Sequence, residues 1–399
     1  MESVKGVPYF DKVKNQIKQY NYLNHNLGVD ILIIGGGIDG AITNYYLSQN
    51  FNVALVDSER FGMGCTSSAT ALLEYQLDDY AVKLKKVMSE EDIVNIYNMG
   101  LYSLEKIEKF VKKYGNECMF HRRPTLLYSN NLLDFSDIEK EYEFRKNNGF
   151  LCDIIDEHNN PFEFKVKKGL YVENGGGEFN PYLFTKQLLE NSKNQDFMFE
   201  NTEVESIDFD GSVYTCRTKY GDYIKCKKII LSTAFNFDLL EKKDYSERYV
   251  TYSIVTSPLE KNMIYNYTLV QDTKKPYHYL RTLRENRLIF GGEDTKYNGK
   301  IDKEKAQEKY KKLEEDLNKI FPSIEGKYHI EHKFCGLFGS TDNNLGMIGE
   351  CEEKGIILNL SMGANGIINA MYGVEIIEDI LKGKENKLAH LFSPKRLKF

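Results

Sequence analysis

The sequence lacks the features that mark membrane, secreted and nucleic-acid-binding proteins. No apolar stretch approaches the length of a membrane-spanning helix, and the N-terminus, Met-Glu-Ser-Val-Lys-Gly-Val-Pro, has no apolar signal-peptide core. The formal net charge of −6 supplies no basic face for a nucleic acid. We therefore expect a cytoplasmic protein that spans no membrane and binds no nucleic acid.

Tryptophan, internal repeats and C-x-x-C pairs are also absent from the sequence. The seven cysteines, an odd number, are typical of reduced thiols in a cytoplasmic chain. His329 and His332 stand on a segment that reads as extended, at a spacing that would point their side chains to opposite faces. No metal site is predicted.

The length and periodicity of the chain predict two domains, because 399 residues exceed what one simple core usually holds. Residues 1–28 are predicted to be irregular, and Glu293 and Asp294 to form a solvated or salt-bridged pair in a turn. Apolar periodicity predicts helices over 38–49, 181–190, 302–319 and 363–382, two amphipathic helices within 82–114, and strands within 197–232 and 249–291.

Glycines are concentrated where the first strong strand meets a helix. An apolar run leads into Gly35, Gly37 and Gly40 at G-x-G-x-x-G spacing, and Asp57 follows the next apolar run about 20 residues later. Gly35 would permit the tight turn, Gly37 would let a pyrophosphate approach the helix that starts at Ile38, and Gly40 would allow close helix–strand packing. A carboxylate at position 57 suits ribose hydroxyls and disfavours a 2′-phosphate. The unit predicts dinucleotide binding.

Two further glycine-rich segments narrow the choice of cofactor. Residues 60–69 form a Gly/Ser-rich loop directly after the second strand, and residues 363–367 lead from another strand into an apolar helix. An NAD-dependent dehydrogenase needs one helix N-terminus of this kind, whereas a flavin dinucleotide can use a second one for its redox-active ring. The sequence therefore favours FAD.

The ordered set of motifs resembles the FAD-dependent oxidoreductases of the D-amino-acid oxidase (DAO) family, which includes glycine oxidase, sarcosine oxidase and glycerol-3-phosphate dehydrogenase. The resemblance extends from about residue 28 to the end of the chain. Besides the glycine fingerprint and Asp57, it rests on residues 62–68, 180–181, 202–204, 229–234, 287–294, 334–339, 348–349 and 363–367.

The resemblance implies an α/β (α+β) fold: a discontinuous Rossmann-like FAD-binding domain with an inserted substrate domain built on an antiparallel sheet. It places residues 1–80, 170–240 and 330–399 in the FAD-binding domain. Residues 81–169 and 241–329 form the substrate domain.

The resemblance also implies FAD contacts, position by position. Gly35, Gly37, Ile38 and Gly40 would lie at the pyrophosphate, with Asp57 and Ser58 at the adenosine ribose. Thr66, Ser67, Ala71 and Leu72 would run toward the isoalloxazine ring, Val204, Thr233 and Ala234 would contact the nucleotide, and Gly336, Gly363, Asn365, Gly366 and Ile367 would approach the flavin. The family usually has glycine where this chain has Ala234. Some members attach the flavin through a cysteine at the position of Gly336, one residue after Cys335, so non-covalent FAD is expected.

The implied activity is hydride removal from a carbon beside an amine or hydroxyl, with an amine, an amino acid or a related small molecule as substrate and an electron acceptor of unassigned identity. Amino-acid-oxidising members place an arginine at the position of Phe338. Candidate pocket residues are Phe338, Arg281 as another cation for a substrate carboxylate, and His278, between two tyrosines, as a proton acceptor that faces the flavin; no catalytic base is assigned. The alternatives are an NAD-linked dehydrogenase and a flavin-binding protein without turnover. The oligomeric state is not predicted.

Overall fold

A computed structural model of the chain describes residues 3–11, 18–235, 239–240, 246–363 and 365–396. None of the helices in these ranges combines the length and apolarity needed to cross a membrane. The described α-helices are α1 Ile38–Leu47, α2 Cys65–Ser68, α3 Ala81–Leu84, α4 Glu90–Tyr114, α5 Phe135–Asn147, α6 Pro181–Glu190, α7 Lys303–Ile320, α8 Gly366–Leu381 and α9 Ala389–Phe392.

The described strands form three sheets. In chain order they are β1 Val4–Gly6, β2 Leu27–Gly28, β3 Ile31–Ile34, β4 Val53–Val56, β5 Leu72–Glu74, β6 His121–Ser129, β7 Asp153–Asp156, β8 Lys168–Glu178, β9 Met198–Phe199, β10 Val204–Phe209, β11 Tyr214–Thr218, β12 Tyr223–Cys226, β13 Lys228–Leu231, β14 Glu247–Thr256, β15 Leu269–Asp272, β16 His278–Thr282, β17 Leu288–Lys296, β18 Ile330–Ser340, β19 Met347–Glu350 and β20 Ile356–Leu360.

A six-stranded sheet in the order β19-β20-β13-β3-β4-β9 carries the glycine fingerprint, which follows β3. All its neighbouring pairs are parallel except β19 with β20. Its strands are continuous apolar runs because both faces are covered. Helices α1, α4, α6 and α8 pack on one face, and the small sheet β10-β11-β12-β2 covers the other. The loops that leave the carboxyl ends of β3, β4, β13 and β20 therefore meet at one edge.

A ten-stranded, mainly antiparallel sheet lies over that edge, in the order β1-β18-β14-β17-β16-β15-β6-β8-β5 with β7 paired to β8. Alternation gives it two distinct faces. Its outer face, which includes Tyr252, Leu280 and Cys335, packs against α7. Its inner face, which includes Tyr279 and Gly336, is turned toward the segment that follows β4, because a side chain at Gly336 would collide with Ser68.

The structure confirms the predicted fold class and most predicted elements. The helix predicted over 181–190 is α6, with Asn180 as N-cap and Pro181 at its first position. The prediction that residues 1–28 are irregular was wrong at two short strands, because β1 pairs with β18 and β2 pairs with β12. These pairings are long-range, and such short segments carry no periodic signal.

The division into domains stays a prediction. Two segments, however, pack with elements that the division assigns to the other domain. Helix α4, predicted within the substrate domain, packs on α8: Ser103 donates to the Ile368 carbonyl at 3.2 Å and Lys106 to the Met371 carbonyl at 2.7 Å. Strand β18, predicted within the FAD-binding domain, belongs to the ten-stranded sheet. Residues 1–2, 12–17, 236–238, 241–245, 364 and 397–399 of that division lie outside the described residues.

Candidate active site

The glycine fingerprint forms the turn between β3 and α1. Gly35 has φ +108°, which favours glycine, and a Cβ at Gly40 would collide with the Gly35 carbonyl. These two glycines are required by the packing of the chain itself. Gly37 is different, because its backbone is not left-handed and the nearest atom to an added Cβ is the Thr66 hydroxyl, 3.3 Å away. Because the Thr66 hydroxyl is the one atom of the described residues that an added Cβ would meet within 4 Å, this side of the Gly37 backbone could accept a pyrophosphate.

The first turn of α1 presents backbone N–H groups to this side of the Gly37 backbone. Gly37 is the N-cap and supplies no side-chain hydrogen bond, while the Ile38 N–H donates to the Thr66 hydroxyl at 2.9 Å. Asp39 is turned the other way and accepts from the Ser361 N–H at 3.0 Å, which fixes the loop after β20 beside α1. Burial raises the pKa of Asp39 to about 7, so its neutral form persists next to a site suited to an anion.

Asp57 lies directly beyond β4 with both carboxylate oxygens oriented by backbone donors. Oδ2 accepts from the Gly36 N–H at 2.6 Å and Oδ1 from the Glu59 N–H at 2.8 Å. Each oxygen keeps a second lone pair for a hydroxyl. Burial raises the pKa of this carboxyl to about 6, and the neighbouring Ser58 is exposed. The geometry is compatible with ribose binding at Asp57.

The loop after β4 and the loop after β13 each contain a left-handed alanine: Ala71 has φ +51° and Ala234 has φ +53°. This conformation costs a non-glycine residue about 1–2 kcal/mol and explains the glycine that the DAO family has at the position of Ala234. Thr66 and Ser67 are buried in α2, Leu72 begins β5, Val204 begins β10, and Thr233 follows β13.

The turn before α8 brings the C-terminal region to the same edge. Gly363 has φ +85° and donates its N–H to the Gly339 carbonyl at 2.8 Å. The Asn365 side-chain amide accepts from the Glu74 N–H at 3.2 Å and donates to the Gln76 carbonyl at 2.7 Å. This amide therefore connects the start of α8 to β5, and both of its polar atoms are already hydrogen-bonded within the protein. Gly366 and Ile367 open α8 without a side-chain cap, which leaves backbone N–H groups for a ligand.

Phe338 lies on the inner face of the ten-stranded sheet. It stacks on Tyr249 of the neighbouring strand, with ring centroids 5.7 Å apart and planes 28° apart. Thr251 and Tyr279 share this face and are hydrogen-bonded to each other at 2.9 Å. The position at which amino-acid-oxidising members of the DAO family carry an arginine is therefore occupied by an aromatic stack.

Arg281 also belongs to the inner face, but its charge is already paired. One guanidinium nitrogen donates to Glu178 at 3.0 Å and another to the Phe179 carbonyl at 3.0 Å. Glu178 accepts from Arg123 as well, at 2.8 Å, and Arg281 is only 2% exposed. This arrangement favours a structural ion pair over binding of a substrate carboxylate.

His278 lies on the outer face, opposite to Tyr279 and Phe338. Its Nδ1 is 3.0 Å from Asp272 and its Nε2 is 3.3 Å from Glu293, so both ring nitrogens have carboxylate partners. The hypothesis that His278 faces the flavin as a proton acceptor is not supported by this placement. Strand alternation in the sequence could not predict this placement. Alternation shows that His278 and Tyr279 occupy opposite faces, but not which of the two faces is covered by α7.

His278, Glu293 and Asp316 bring three ligand-type side chains within 4.8 Å of one another. Lysines from α7 already bind the carboxylates: Lys309 donates to Glu293 at 2.7 Å, and Lys312 donates to Asp316 at 2.7 Å. The cluster is therefore a buried ion-pair network that fastens α7 to the outer face.

Cys335 is buried on the outer face, where it belongs to the cluster packed on α7. Its neighbour Gly336 faces the opposite way, toward Ser68. A thiol on the outer face cannot reach a flavin on the inner side of the sheet, which favours non-covalent binding.

Asp294 is a candidate that the sequence did not single out. Glu293 and Asp294 lie inside β17 and not in a turn. Only the second half of the prediction for this pair, an ion-paired Glu293, agrees with the structure. Glu293 has φ +57° at a β-bulge, and the two carboxylates point to opposite faces of the sheet. The Gly291-Gly292 pair before them was the available signal for an irregular strand.

Comparison with known proteins identifies a family and a fold. Residues 30–379 match the model of a family described as FAD dependent oxidoreductase, the DAO family, which confirms the resemblance drawn from the sequence. YhfW of Bacillus subtilis, whose name describes a Rieske 2Fe-2S iron-sulfur protein, is 23% identical over 96% of this chain and 75% of its own length. Gamma-glutamylputrescine oxidoreductase of Escherichia coli is 19% identical over 94% of this chain and 88% of its own. The structure of glycine oxidase from Geobacillus kaustophilus matches with a TM-score of 0.78 and 18% identity, covering 94% of this chain and 100% of that one.

Replacing His278 by alanine is expected to lower the free energy of unfolding by about 2 kcal/mol, because Asp272 and Glu293 lose a shared buried partner. Chemical denaturation measures the loss. The rate of flavin reduction in the variant that remains folded should stay within about twofold of wild type. A large loss of that rate with unchanged stability would instead restore His278 as a proton acceptor.

Proposed function

Since the chain belongs to the family of FAD-dependent oxidoreductases, we propose that it oxidises a small amine at the carbon beside nitrogen and does not hold its substrate through a carboxylate–arginine pair. FAD, when bound, supplies the electron sink for the hydride that leaves this carbon. The substrate C–H bond breaks with its electron pair leaving as hydride, the nitrogen lone pair forms the C=N bond of an iminium ion, and water hydrolyses this ion to a carbonyl compound and ammonium, or the released amine when the nitrogen is substituted.

The observation that carries this proposal is the Phe338–Tyr249 stack on the inner face. A substrate carboxylate that is transferred from water into a pocket needs a cationic partner. The guanidinium of arginine suits it best, because it can donate two parallel hydrogen bonds to the carboxylate. Phe338 offers an apolar surface instead, and Arg281 is bound by Glu178. The name of the E. coli relative, which describes an oxidoreductase of an amine, supports the same substrate class.

We assign the cofactor contacts to the edge where the strand loops meet. The backbone of Gly37 and Ile38 would hold the pyrophosphate, Asp57 the adenosine ribose, and the uncapped start of α8 the flavin ring, where the helix dipole favours negative charge. The inner face of the ten-stranded sheet would cover the ring and exclude water. FAD is bound without a covalent link, which fits the position of Cys335 on the outer face.

A matched substrate panel tests the proposal. The FAD-loaded protein is mixed anaerobically with pairs of compounds, each an amine and its α-carboxylated amino acid, and loss of the oxidised flavin band is followed. We expect amines to reduce the flavin faster than their amino-acid counterparts. A flavin that amino acids reduce preferentially would overturn the proposal, and a colourless protein after FAD reconstitution would favour an NAD-linked dehydrogenase.

Replacing Phe338 by arginine is expected to raise the affinity for the amino-acid member of each pair about tenfold, because the new guanidinium can pair with the substrate carboxylate. The measurement is the concentration dependence of flavin reduction. Phe338→Leu is the control for loss of the aromatic stack and should not improve amino-acid binding. An unchanged amino-acid affinity in Phe338→Arg would place this strand position outside the substrate pocket.

A further inference from the structure

We propose that Asp294, with Tyr277 and Tyr279, binds a second, protonated amino group of the substrate, so that the preferred substrates are diamines. This inference rests on the proposed function and names the substrate class more narrowly. The nitrogen beside the reacting carbon must be uncharged to donate its lone pair. A carboxylate that recognises an ammonium therefore recognises a different nitrogen.

The β-bulge in β17 places Asp294 on the inner face. Simple alternation from Gly291, whose Cβ would collide with the Tyr279 ring, would put Glu293 on the inner face and Asp294 on the outer face. The left-handed conformation of Glu293, φ +57°, inserts one residue into the pairing with β14 and reverses this. Glu293 therefore reaches Lys309 of α7, and Asp294 reaches Thr251.

One oxygen of Asp294 is buried and lacks a partner. Thr251 hydrogen-bonds to the carboxylate, but Oδ1 has no hydrogen-bond partner among the described residues. A buried carboxylate oxygen without a donor is costly, and an ammonium group would supply the missing donor. Lys309, whose charge acts on Asp294, donates to Glu293 on the outer side, and the His278 ring is also bonded to Glu293 there.

The side chains of Tyr277 and Tyr279 interact electrostatically with the Asp294 carboxylate. The rings of Tyr277 and Tyr279 lie with centroids 6.1 Å apart, and the Tyr279 hydroxyl is held by Thr251 at 2.9 Å and Ser253 at 3.3 Å. An aromatic face next to a carboxylate stabilises an ammonium through its quadrupole as well as its charge. Asp78 also lies near Tyr277 and adds negative potential on this side, whereas burial raises the pKa of Glu74 to about 8 and favours its neutral form.

The ionisation of Asp294 supplies a pH readout. Burial raises its pKa to about 6, so the carboxylate form that binds a cation grows as pH rises through this value. The affinity for a diamine should increase over the same range. The titratable and charged groups around Asp294 are Tyr277, Tyr279 and His278 of the β16 region, Glu293 of β17, Lys309 of α7, and Glu74 and Asp78 at β5 and beyond it.

The experiment compares diaminobutane with butylamine on the FAD-loaded enzyme, in wild type and Asp294→Asn. Each ligand is titrated anaerobically, and both the shift of the flavin spectrum on binding and its reduction are recorded. We expect wild type to bind the diamine at least about tenfold more tightly than the monoamine. Asp294→Asn should lose this preference and the pH dependence near 6.

Asp208→Asn is the matched control, because Asp208 is 66% exposed on the distant small sheet. It should behave as wild type. A diamine preference that persists in Asp294→Asn, or that is absent from wild type, overturns the inference. If the diamine shifts the spectrum without reducing the flavin and Asp294→Asn abolishes that shift, the cation site stands and the proposed oxidation fails. The two failures are therefore distinguishable.

Discussion

Replacing Gly37 by alanine is expected to raise the dissociation constant for FAD at least about 100-fold, or about 2.7 kcal/mol, while the fold stays intact. The Gly37 backbone, with φ −68°, accepts any residue, and an added Cβ meets only the Thr66 hydroxyl at 3.3 Å. The methyl group would instead occupy the space in which the pyrophosphate approaches the backbone. Titration of the apoprotein with FAD, followed by flavin fluorescence, measures the loss.

Two glycine variants give this prediction its controls. Gly28→Ala adds a methyl group with nothing within 4 Å and should leave both FAD affinity and thermal stability unchanged. Gly40→Ala should destabilise the apoprotein itself, because its methyl group collides with the Gly35 carbonyl. Unchanged FAD affinity in Gly37→Ala would place the cofactor away from the first turn of α1.

Replacing Glu141 by glutamine is expected to lower the free energy of unfolding by about 3 kcal/mol, the largest effect on stability that we predict. Glu141 is 0% exposed and accepts from the Tyr97 hydroxyl at 2.8 Å, the Arg145 guanidinium at 2.8 Å and the Ala81 N–H at 2.6 Å. The neutral amide of glutamine would leave the buried Arg145 charge without its counter-ion. Its NH2 group would also face one of the three groups that now donate to Glu141. Denaturant unfolding of the apoprotein measures the change.

The exposed pair Lys311–Glu315 on α7 provides the comparison for that variant. Its side chains are 81% and 51% exposed at a distance of 3.9 Å, so Glu315→Gln should cost no more than about 0.5 kcal/mol. Equal effects of the two substitutions would show that Glu141 does not hold the junction of α3, α4 and α5. Both variants should keep wild-type FAD affinity, since neither residue belongs to the edge where the strand loops meet.

Local signals in the sequence predicted the turn between β3 and α1 and the start of helix α6. The roles of Gly35 and Gly40 follow from steric requirements that the spacing encodes, and both positions meet those requirements in the structure. Helix α6 could be delimited because Asn180 and Pro181 form a start signal. The family match confirms an FAD-dependent oxidoreductase, while the individual FAD contacts stay predictions.

The substrate side depends on sheet register, which the sequence does not reveal. The position of His278 between two tyrosines makes it a pocket candidate in the sequence. In the structure it faces α7, whereas Tyr279 faces inward. The bulge at Glu293 reverses the alternation of β17 and exchanges the faces of two carboxylates. The Gly291-Gly292 pair indicates an irregular strand, but the position of the bulge, and with it the face of Asp294, could be identified only from the structure.

Anaerobic mixing of the FAD-loaded protein with an unsubstituted alkylamine tests the central claim most directly. The account predicts that the visible absorption of the oxidised flavin disappears and that an equivalent amount of the corresponding aldehyde is formed. A protein that is folded and carries FAD, yet keeps the oxidised spectrum with every amine tried while a hydroxy acid or an amino acid bleaches it, would contradict the account.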